Sequence, residues 1–443
     1  MTAGLVLTVT LAASESLAVA TILPVVSRQL GDLRLYGWVF SAFFLSSLVG
    51  TVIAGGLADR HGLVGPLVGG LVLFGIGLTI GGTAVDMPVL VFGRFLQGLG
   101  AGAVPATAYV AIGRAYPAKT RPRMFAILST AWVVPGLVGP ALSALVASTV
   151  GWRWVFLGLV PFVGVAALLA APSLRAVPLP ADDARRPVAI IPAILAAAGA
   201  GSVLAGLTEA RAIPTTILVV LGVIVGVPAI RRLTPTGTLT ARAGLPVTIL
   251  SRGLLTFSFF AADAYLPLTL TQFRHQSPEL AGLALTAGTM AWTSGSWIQE
   301  RRVRQWGPSR IVGAGEAIVV VGIGGLSLTL LGQIPPFVAV IAWAVGGFGM
   351  GLAYSPIALT ALDRAPAGRE GWATSAVQLT DVLGTALGAG VAGAVVAYGQ
   401  REGQVGNGLA VAFAIAAMVG LVGLALSPRL PAGLQEISTV PQR

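Results

Sequence analysis

Runs of uncharged, apolar residues about 20 long recur along the whole chain, each separated from the next by a short polar or basic segment. That is the length at which a helix crosses the hydrocarbon core of a bilayer. Fourteen runs are read, at roughly 5–26, 37–58, 65–84, 88–112, 123–148, 154–172, 188–208, 213–231, 246–270, 278–299, 310–331, 335–358, 370–399 and 407–427. In hydrocarbon every backbone N–H and C=O must be bonded within the protein, so each run is expected to be a helix. The connections are short and no soluble domain is inserted. Met1 to Gly4 carries no basic segment and the first run is long enough to span, so it reads as a helix and not as a signal peptide.

The placement of Lys and Arg orients these spans. With the N-terminus inside, segments 59–64, 113–123, 173–187, 231–245, 300–310, 359–370 and the tail from 428 are cytoplasmic and hold 19 of the 27 basic residues. The external loops hold six (Arg28, Arg34, Arg153, Arg211, Arg274 and Arg401), while Arg94 and Arg252 lie inside spans. That bias puts both termini in the cytoplasm. It does not separate twelve spans from fourteen, since both are even. The uncharged runs 188–208 and 213–231, with Glu209 and Arg211 at a tight turn between them, make the count fourteen.

Composition closes off the soluble alternatives. Hydrophobic residues are 55% of the chain and charged residues 10%, against about 25% charged in soluble domains. A net charge of +11 would fit a nucleic-acid binder, but the arginines share no common face. The charge is the positive-inside bias repeated over seven cytoplasmic segments, and no nucleic-acid partner is expected. Fifty-nine glycines fit closely approaching membrane helices. With no cysteine, disulfide and thiol chemistry are absent.

Several segments carry a family likeness. Gly55-Gly56-Leu57-Ala58-Asp59-Arg60-His61-Gly62, after the second span, resembles the GxLaDRxG signature of the major facilitator superfamily. Arg94-Phe95-Leu96-Gln97-Gly98 with Gly100 and Gly102 resembles that family's element in span 4. Gly136-Leu137-Val138-Gly139-Pro140, followed by Ser143 and Ala144 where glycines are usual, resembles its antiporter motif. Gly151-Trp152-Arg153-Trp154-Val155-Phe156 followed by Pro161 is similar to the drug:proton antiporter branch with fourteen transmembrane helices. Glu15 precedes Leu23-Pro24 at the spacing of that branch's acid in span 1. Fainter echoes follow at Trp306–Arg310, Gly349–Gly351 and Gln378–Asp381.

The resemblance implies an all-α integral membrane protein with the major facilitator fold. Two pseudo-symmetric six-helix bundles, 1–172 and 246–427, would flank an inserted helix pair with its linkers at 173–245, and 428–443 would form a cytoplasmic tail. It implies that Asp59 meets the start of span 13, near Gly371–Thr374, and latches the outward-open state. Leu63 and Val64 stand where the family has two basic residues. Repeated halves of this kind place the substrate site near the midplane between them.

An ionisable group at bilayer depth costs at least about 2.5–3.5 kcal/mol and marks function by default. Glu15 lies mid-span in helix 1, Asp263 mid-to-outer in span 9, Asp381 in the middle third of span 13, and Arg94 about six residues into span 4. A carboxylate exposed alternately to the two sides can load and release a proton. Glu15, Asp263 and Asp381 are therefore expected to supply the proton and cation sites, with Arg94 tuning one of them. Arg252 is expected to snorkel to the headgroups. Glu209, Glu300, Glu316 and Asp363 are read at span ends, solvated or paired with adjacent arginines. Trp38, Trp132, Tyr265 and Trp292, with Gln378, are candidates for an aromatic cavity taking cationic amphipathic cargo, although interfacial belts use the same aromatic residues.

The function expected is proton-coupled antiport exporting lipophilic or cationic compounds by alternating access. It would be driven by the proton gradient with no cofactor or metal, in a monomer of the plasma membrane whose partners are the bilayer, the cargo and protons. Export of a lipid-like molecule is the alternative, with nutrient uptake and a non-transporting scaffold behind it. An enzyme is not expected. Both histidines, His61 and His275, lie in loops, so no buried Ser-His dyad or His-rich metal site can form, and no GxxxxGK phosphate loop is present.

Overall fold

The computed structural model describes residues 2–115, 124, 131, 133–175, 177, 189–209, 211–366 and 369–433, which are helical with no strand among them. A helix stands at each expected position: α1 (Thr2–Leu30), α2 (Tyr36–His61), α3 (Val64–Gly82), α4 (Met87–Ala115), α5 (Val133–Thr149), α6 (Arg153–Leu174), α7 (Ile190–Thr208), α8 (Ala212–Leu233), α9 (Leu245–Phe273), α10 (Pro278–Trp306), α11 (Pro308–Leu328), α12 (Val338–Asp363), α13 (Glu370–Arg401) and α14 (Val405–Leu426). Twelve of them are long and apolar enough to cross a membrane. Helix α5 is described over only 17 residues. Helix α10 has the length, but it carries Thr286, Thr289, Thr293, Ser294, Ser296 and Gln299 ahead of a basic end. The described residues thus carry twelve spans by length and composition, two fewer than the sequence count.

The surface is apolar where a soluble protein's would be charged. Val72 and Ile76 on α3, Leu168 and Leu169 on α6, and Ile213, Ile217 and Ile224 on α8 all point outward. Such broad apolar faces need hydrocarbon against them. In α6 the helix is two pieces, Arg153–Leu157 and Val160–Leu174. The Trp-Arg-Trp segment anchors its start: Trp152 donates its indole N–H to Gln29 at 2.7 Å, and Arg153 donates to the Ala84 carbonyl at 3.1 Å. Helix α9 is regular to Asp263, turns at Ala264–Tyr265, and ends in a π-helical stretch after Pro267.

The packing repeats with an offset of eight helices. Helix α4 lies against both α2 and α3, and α12 lies in the same way against α10 and α11. The glycines explain the closeness. A methyl at Gly98 or Gly102 would collide with the Phe43 or Ser47 carbonyl of α2, and one at Gly100 with the Gly70 carbonyl of α3. On α12 the same alternation recurs: Gly347 and Gly351 meet the carbonyls of Gly288 and Trp292 on α10, and Gly349 meets that of Gly315 on α11. Helices α7 and α8 pack on each other through Gly199, Gly222 and Gly226. Helix α7 also lies along both α2 and α13, where Leu45, Leu48, Leu204, Leu379 and Leu383 share one apolar cluster.

At the face where α1 ends, the first and last six helices are tied together. Tyr36 donates to the Ala264 carbonyl at 3.2 Å, and Ser41 to the Ala386 carbonyl at 2.8 Å. Gln272 donates to the Pro24 carbonyl and to the Ser27 hydroxyl, both at 2.9 Å. At the opposite face α2 ends at Gly62, whose φ of +86° suits glycine and turns the chain into α3.

Overpacking of these contacts gives a direct test. Gly100→Val and Gly349→Val should each destabilise the detergent-solubilised protein by about 1–3 kcal/mol, read as a lowered melting temperature. Gly69→Ala, at a helix position with nothing within 4 Å, should leave it unchanged or slightly raised.

Candidate functional site: two buried arginine–carboxylate pairs

Arg94 and Glu15 are each 1% exposed and form an ion pair between α4 and α1. The guanidinium is held on every side. Its Nε donates to the Val39 carbonyl of α2 at 3.0 Å, Nη1 donates to Glu15 Oε1 and to Gln97 Oε1 at 2.8 Å, and the Phe43 ring centroid lies 4.1 Å away. Gln97 stands one turn after Arg94 on the same helix, so the i, i+3 spacing delivers both groups to one point. Glu15 Oε2 and Gln97 Nε2 are buried without partners.

A second pair lies in the last six helices. Arg252 of α9, 3% exposed, donates from Nε to Asp381 Oδ1 of α13 at 2.8 Å and from Nη1 to the Tyr354 carbonyl of α12. It also lies over the Tyr354 ring. The Tyr354 hydroxyl donates to Asp381 Oδ2 at 3.1 Å, so both carboxylate oxygens are engaged. Snorkelling is therefore the wrong reading of Arg252. An acid 129 residues away in sequence lies within reach of its Nε, and pairing in the interior replaces the run to the headgroups. Glu316 also departs from expectation. It is 1% exposed and both its carboxylate oxygens lack partners. Glu209 and Glu300 are exposed, and Asp363 lies 3.3 Å from Arg364.

Asp263 is joined to this second pair by aromatic rings. Its Oδ1 accepts the Trp343 indole N–H at 2.9 Å. Trp343 stacks on Phe259 with centroids 4.6 Å apart, Phe259 meets Trp292 edge-on at 5.6 Å, and Trp292 meets Tyr354 at 5.2 Å. The rings thus run unbroken from the acid at 263 to the acid at 381. Such faces hold cations and flat apolar molecules. The sequence reading found Trp292 but missed Trp343, Tyr354 and Phe259. Two signals were present: Trp343 and Tyr354 are eleven residues apart, three helical turns on one face, and Phe259 precedes Asp263 by four.

The other candidates are placed as follows. Tyr265 is fully buried, packing 5.0 Å from Tyr36 with its hydroxyl against Gly37 and Gly393. Trp38 donates to the Thr208 hydroxyl of α7 at 3.4 Å, away from the Asp263 rings. Gln378 is half-buried on α13, one turn before Asp381. Gly136 meets Thr289 of α10, and the Pro140 carbonyl lies against Gly282, so the antiporter-like segment of α5 packs on the polar stripe of α10. Ser143, where a glycine is usual, donates to the Pro140 carbonyl at 2.9 Å. Gly139 comes no nearer than about van der Waals contact with Leu17 of α1. In the loop motif Arg60 is exposed and Gly55 meets nothing within 4 Å. Trp132 and the Asp59 side chain lie outside the described residues.

A repeated helical bundle with an apolar surface, holding two arginine–carboxylate pairs at depth, is the architecture of a multi-pass membrane transporter. The chain belongs to the Major Facilitator Superfamily, whose family profile matches residues 5–389. It is 26% identical over 455 residues to the "Probable multidrug-efflux transporter MT1670" of Mycobacterium tuberculosis (strain CDC 1551 / Oshkosh), covering 94% of this chain and 91% of that one. Its fold is similar to a POT family transporter crystallised with 5-aminolevulinic acid, with a TM-score of 0.72 at 15% identity over 97% of this chain and 96% of that one. It is also similar to the inward-facing bacterial homologue of the human lysosomal transporter Spinster, with a TM-score of 0.70 at 13% identity over 96% and 95% of the two chains.

The pairs predict a non-additive pattern of stability. Removing one partner strands the other charge in the interior, so Arg252→Gln and Asp381→Asn should each cost about 3–5 kcal/mol. The double variant should cost clearly less than the sum, as read from thermal unfolding in detergent. Simple additivity would mean that the two groups do not depend on each other.

Proposed function

We propose that the protein is a proton-coupled antiporter that exports lipophilic or cationic amphipathic compounds across the plasma membrane. The observation that carries this reading is the joining of Asp263 to the Arg252–Asp381 pair by Trp343, Phe259, Trp292 and Tyr354. It puts aromatic faces between two carboxylates, where a cation and a proton can compete for the same acids. Glu15, with Arg94 beside it, is the matching proton site in the first six helices. The arginine keeps the empty carboxylate tolerable at depth, and a proton on the acid releases that contact. The multidrug-efflux name of the full-length mycobacterial relative is consistent with such cargo.

The driving force is sufficient. One proton moving down about 100 mV yields roughly 2.3 kcal/mol, and one pH unit about 1.4 kcal/mol. Together they sustain a substrate gradient of the order of 500-fold at about 1.4 kcal/mol per decade.

In this reading both termini are cytoplasmic and the ties among Tyr36, Ser41, Gln272 and their partners close the external side. The bundles are 1–172 and 246–427, α7 and α8 are a transmembrane pair within 173–245, and the monomer is the working unit. Single cysteines at 210 and 240 in a cysteine-free chain test the count of fourteen. Position 210 should label only from outside and 240 only from inside; labelling of 210 from the cytoplasm alone would reduce the count to twelve.

Function is tested in proteoliposomes with an imposed pH gradient and a panel of lipophilic cations and lipids. Gradient-driven flux of the cations should fall at least tenfold in Glu15→Gln and in Asp263→Asn, with facilitated exchange retained. If both variants kept full gradient-driven flux, the coupling assignment would be wrong. Movement of the lipids alone would change the cargo to a lipid-like molecule.

A further inference from the structure

Glu316 is the acid that neither pair uses. It lies on α11 eight residues in from Pro308, about 12 Å along the helix axis, and is 1% exposed. Its carboxylate lies against Gly423 of α14 in the space that a side chain there would fill. One turn along α11 on either side, Gly313 meets Ser427, and Val320 meets Gly420. The seam between α11 and α14 is therefore lined by small residues, with the carboxyl group enclosed in it.

A second orphan faces the same seam from α9. Ser258 donates to the Ala416 carbonyl of α14 at 2.8 Å, which fixes the α9 face turned to α14. Ser251 is two turns earlier on that face, and α14 runs antiparallel to α9, so Ser251 stands opposite the Gly423–Ser427 turn. Its hydroxyl is buried, fully enclosed and without a partner. Two oxygens of Glu316 and one of Ser251, none of them with a hydrogen-bond partner, thus lie at one level of the bundle.

No counter-charge explains them. Among the described residues, α14 offers Gly420, Gly423 and Ser427, while α12 meets the adjacent face of α11 at Gly315 and Val319 through Gly349 and Ala353. Arg252, next to Ser251, is turned to Asp381 and Tyr354. Glu300, Arg301 and Arg302 at the end of α10 are exposed. Three oxygens are also too few for a small cation, which takes about six or more. A carboxylate so placed has one inexpensive form, the neutral acid, whose O–H can donate to a neighbouring hydroxyl.

We propose that Glu316 is a proton-binding site, separate from Glu15, Asp263 and Asp381, whose carboxyl group turns on protonation to donate its O–H to the Ser251 hydroxyl. Polar groups lead to it from the end of the bundle where α11 begins: Ser309 donates to the Ser427 carbonyl at 2.8 Å, and Ser427 stands one turn from Glu316. The site holds its proton while the central pairs are ionised. It is independent of the direction or cargo of transport.

Infrared spectroscopy of the purified protein near neutral pH tests it. Glu316→Gln should remove one protonated-carboxyl stretching band, and Ser251→Ala should shift that same band to the higher frequency of a free carboxyl. An unchanged band in Glu316→Gln would overturn the site, and an unmoved band in Ser251→Ala would overturn the partner. Should Glu316→Gln fail to fold, the Ser251→Ala shift reads Glu316 in place. Gradient-driven flux of Glu316→Gln measured beside it should match wild type, and a loss as large as that of Glu15→Gln would make Glu316 one of the transporting acids instead.

Discussion

A bilayer interior supplies no hydrogen-bond partner, so every backbone N–H and C=O the chain takes there must be bonded inside the protein. The rest of the structure follows from this constraint. It makes each span a helix, because only a helix satisfies a backbone within its own segment. It removes the hydrophobic drive between helices, since lipid is as apolar as leucine, and leaves close packing to hold them. Gly98, Gly100 and Gly102 on α4, and Gly347, Gly349 and Gly351 on α12, answer that need by letting backbones touch. The same constraint selects the charges: Arg94 reaches Glu15 and Arg252 reaches Asp381.

The two halves repeat in packing but not in chemistry. In the first six helices the acid is on the first helix and the arginine on the fourth. In the last six, the arginine is on the helix corresponding to the first, and the acid is on the one corresponding to the fifth. Only the second pair is continued by rings to another acid, Asp263. The packing frame thus repeats while the polar groups set into it do not.

How far this was legible in the sequence depends on the range of the signal. Helix positions are written in runs of about 20 residues, so each of the fourteen runs meets a helix within a few residues over the described range. The close contacts of α4 were legible as a motif. Polar pairing was not, because Glu15 and Arg94 are 79 residues apart and Arg252 and Asp381 are 129 apart. Depth alone could not say whether Arg252 turned inward or ran to the headgroups. Glu316 was misread for a simpler reason. It stands six residues inside its run of 310–331, as deep as Arg94 in span 4, and its face of α11 is covered by α14 at Gly423. Helix α10 shows the converse: Thr289 and Gly282 meet α5 at Gly136 and Pro140, and Ser296 reaches the Gly351 carbonyl of α12 at 3.5 Å, so part of its polar character is turned to neighbouring helices.

Helices α7 and α8 bear on how the two ends of the chain are held together. Helix α7 lies along α2 and α13 together, sharing the cluster of Leu45, Leu48, Leu204, Leu379 and Leu383. At one end Thr208 accepts from Trp38 of α2 through its hydroxyl and from Arg401 of α13 through its carbonyl at 2.7 Å. Any motion that parts α2 from α13 must leave α7 with one of them and expose leucines on the other. Such a separation loses the packing contacts among those leucines. The Trp38 bond is the longer of the two, at 3.4 Å, and the Arg401 bond is charge-assisted and short. Packing does not follow the same order, since α7 lies along α2 at least as extensively as along α13, so α7 is bound to both halves and any parting of α2 from α13 has to break one of the two contacts.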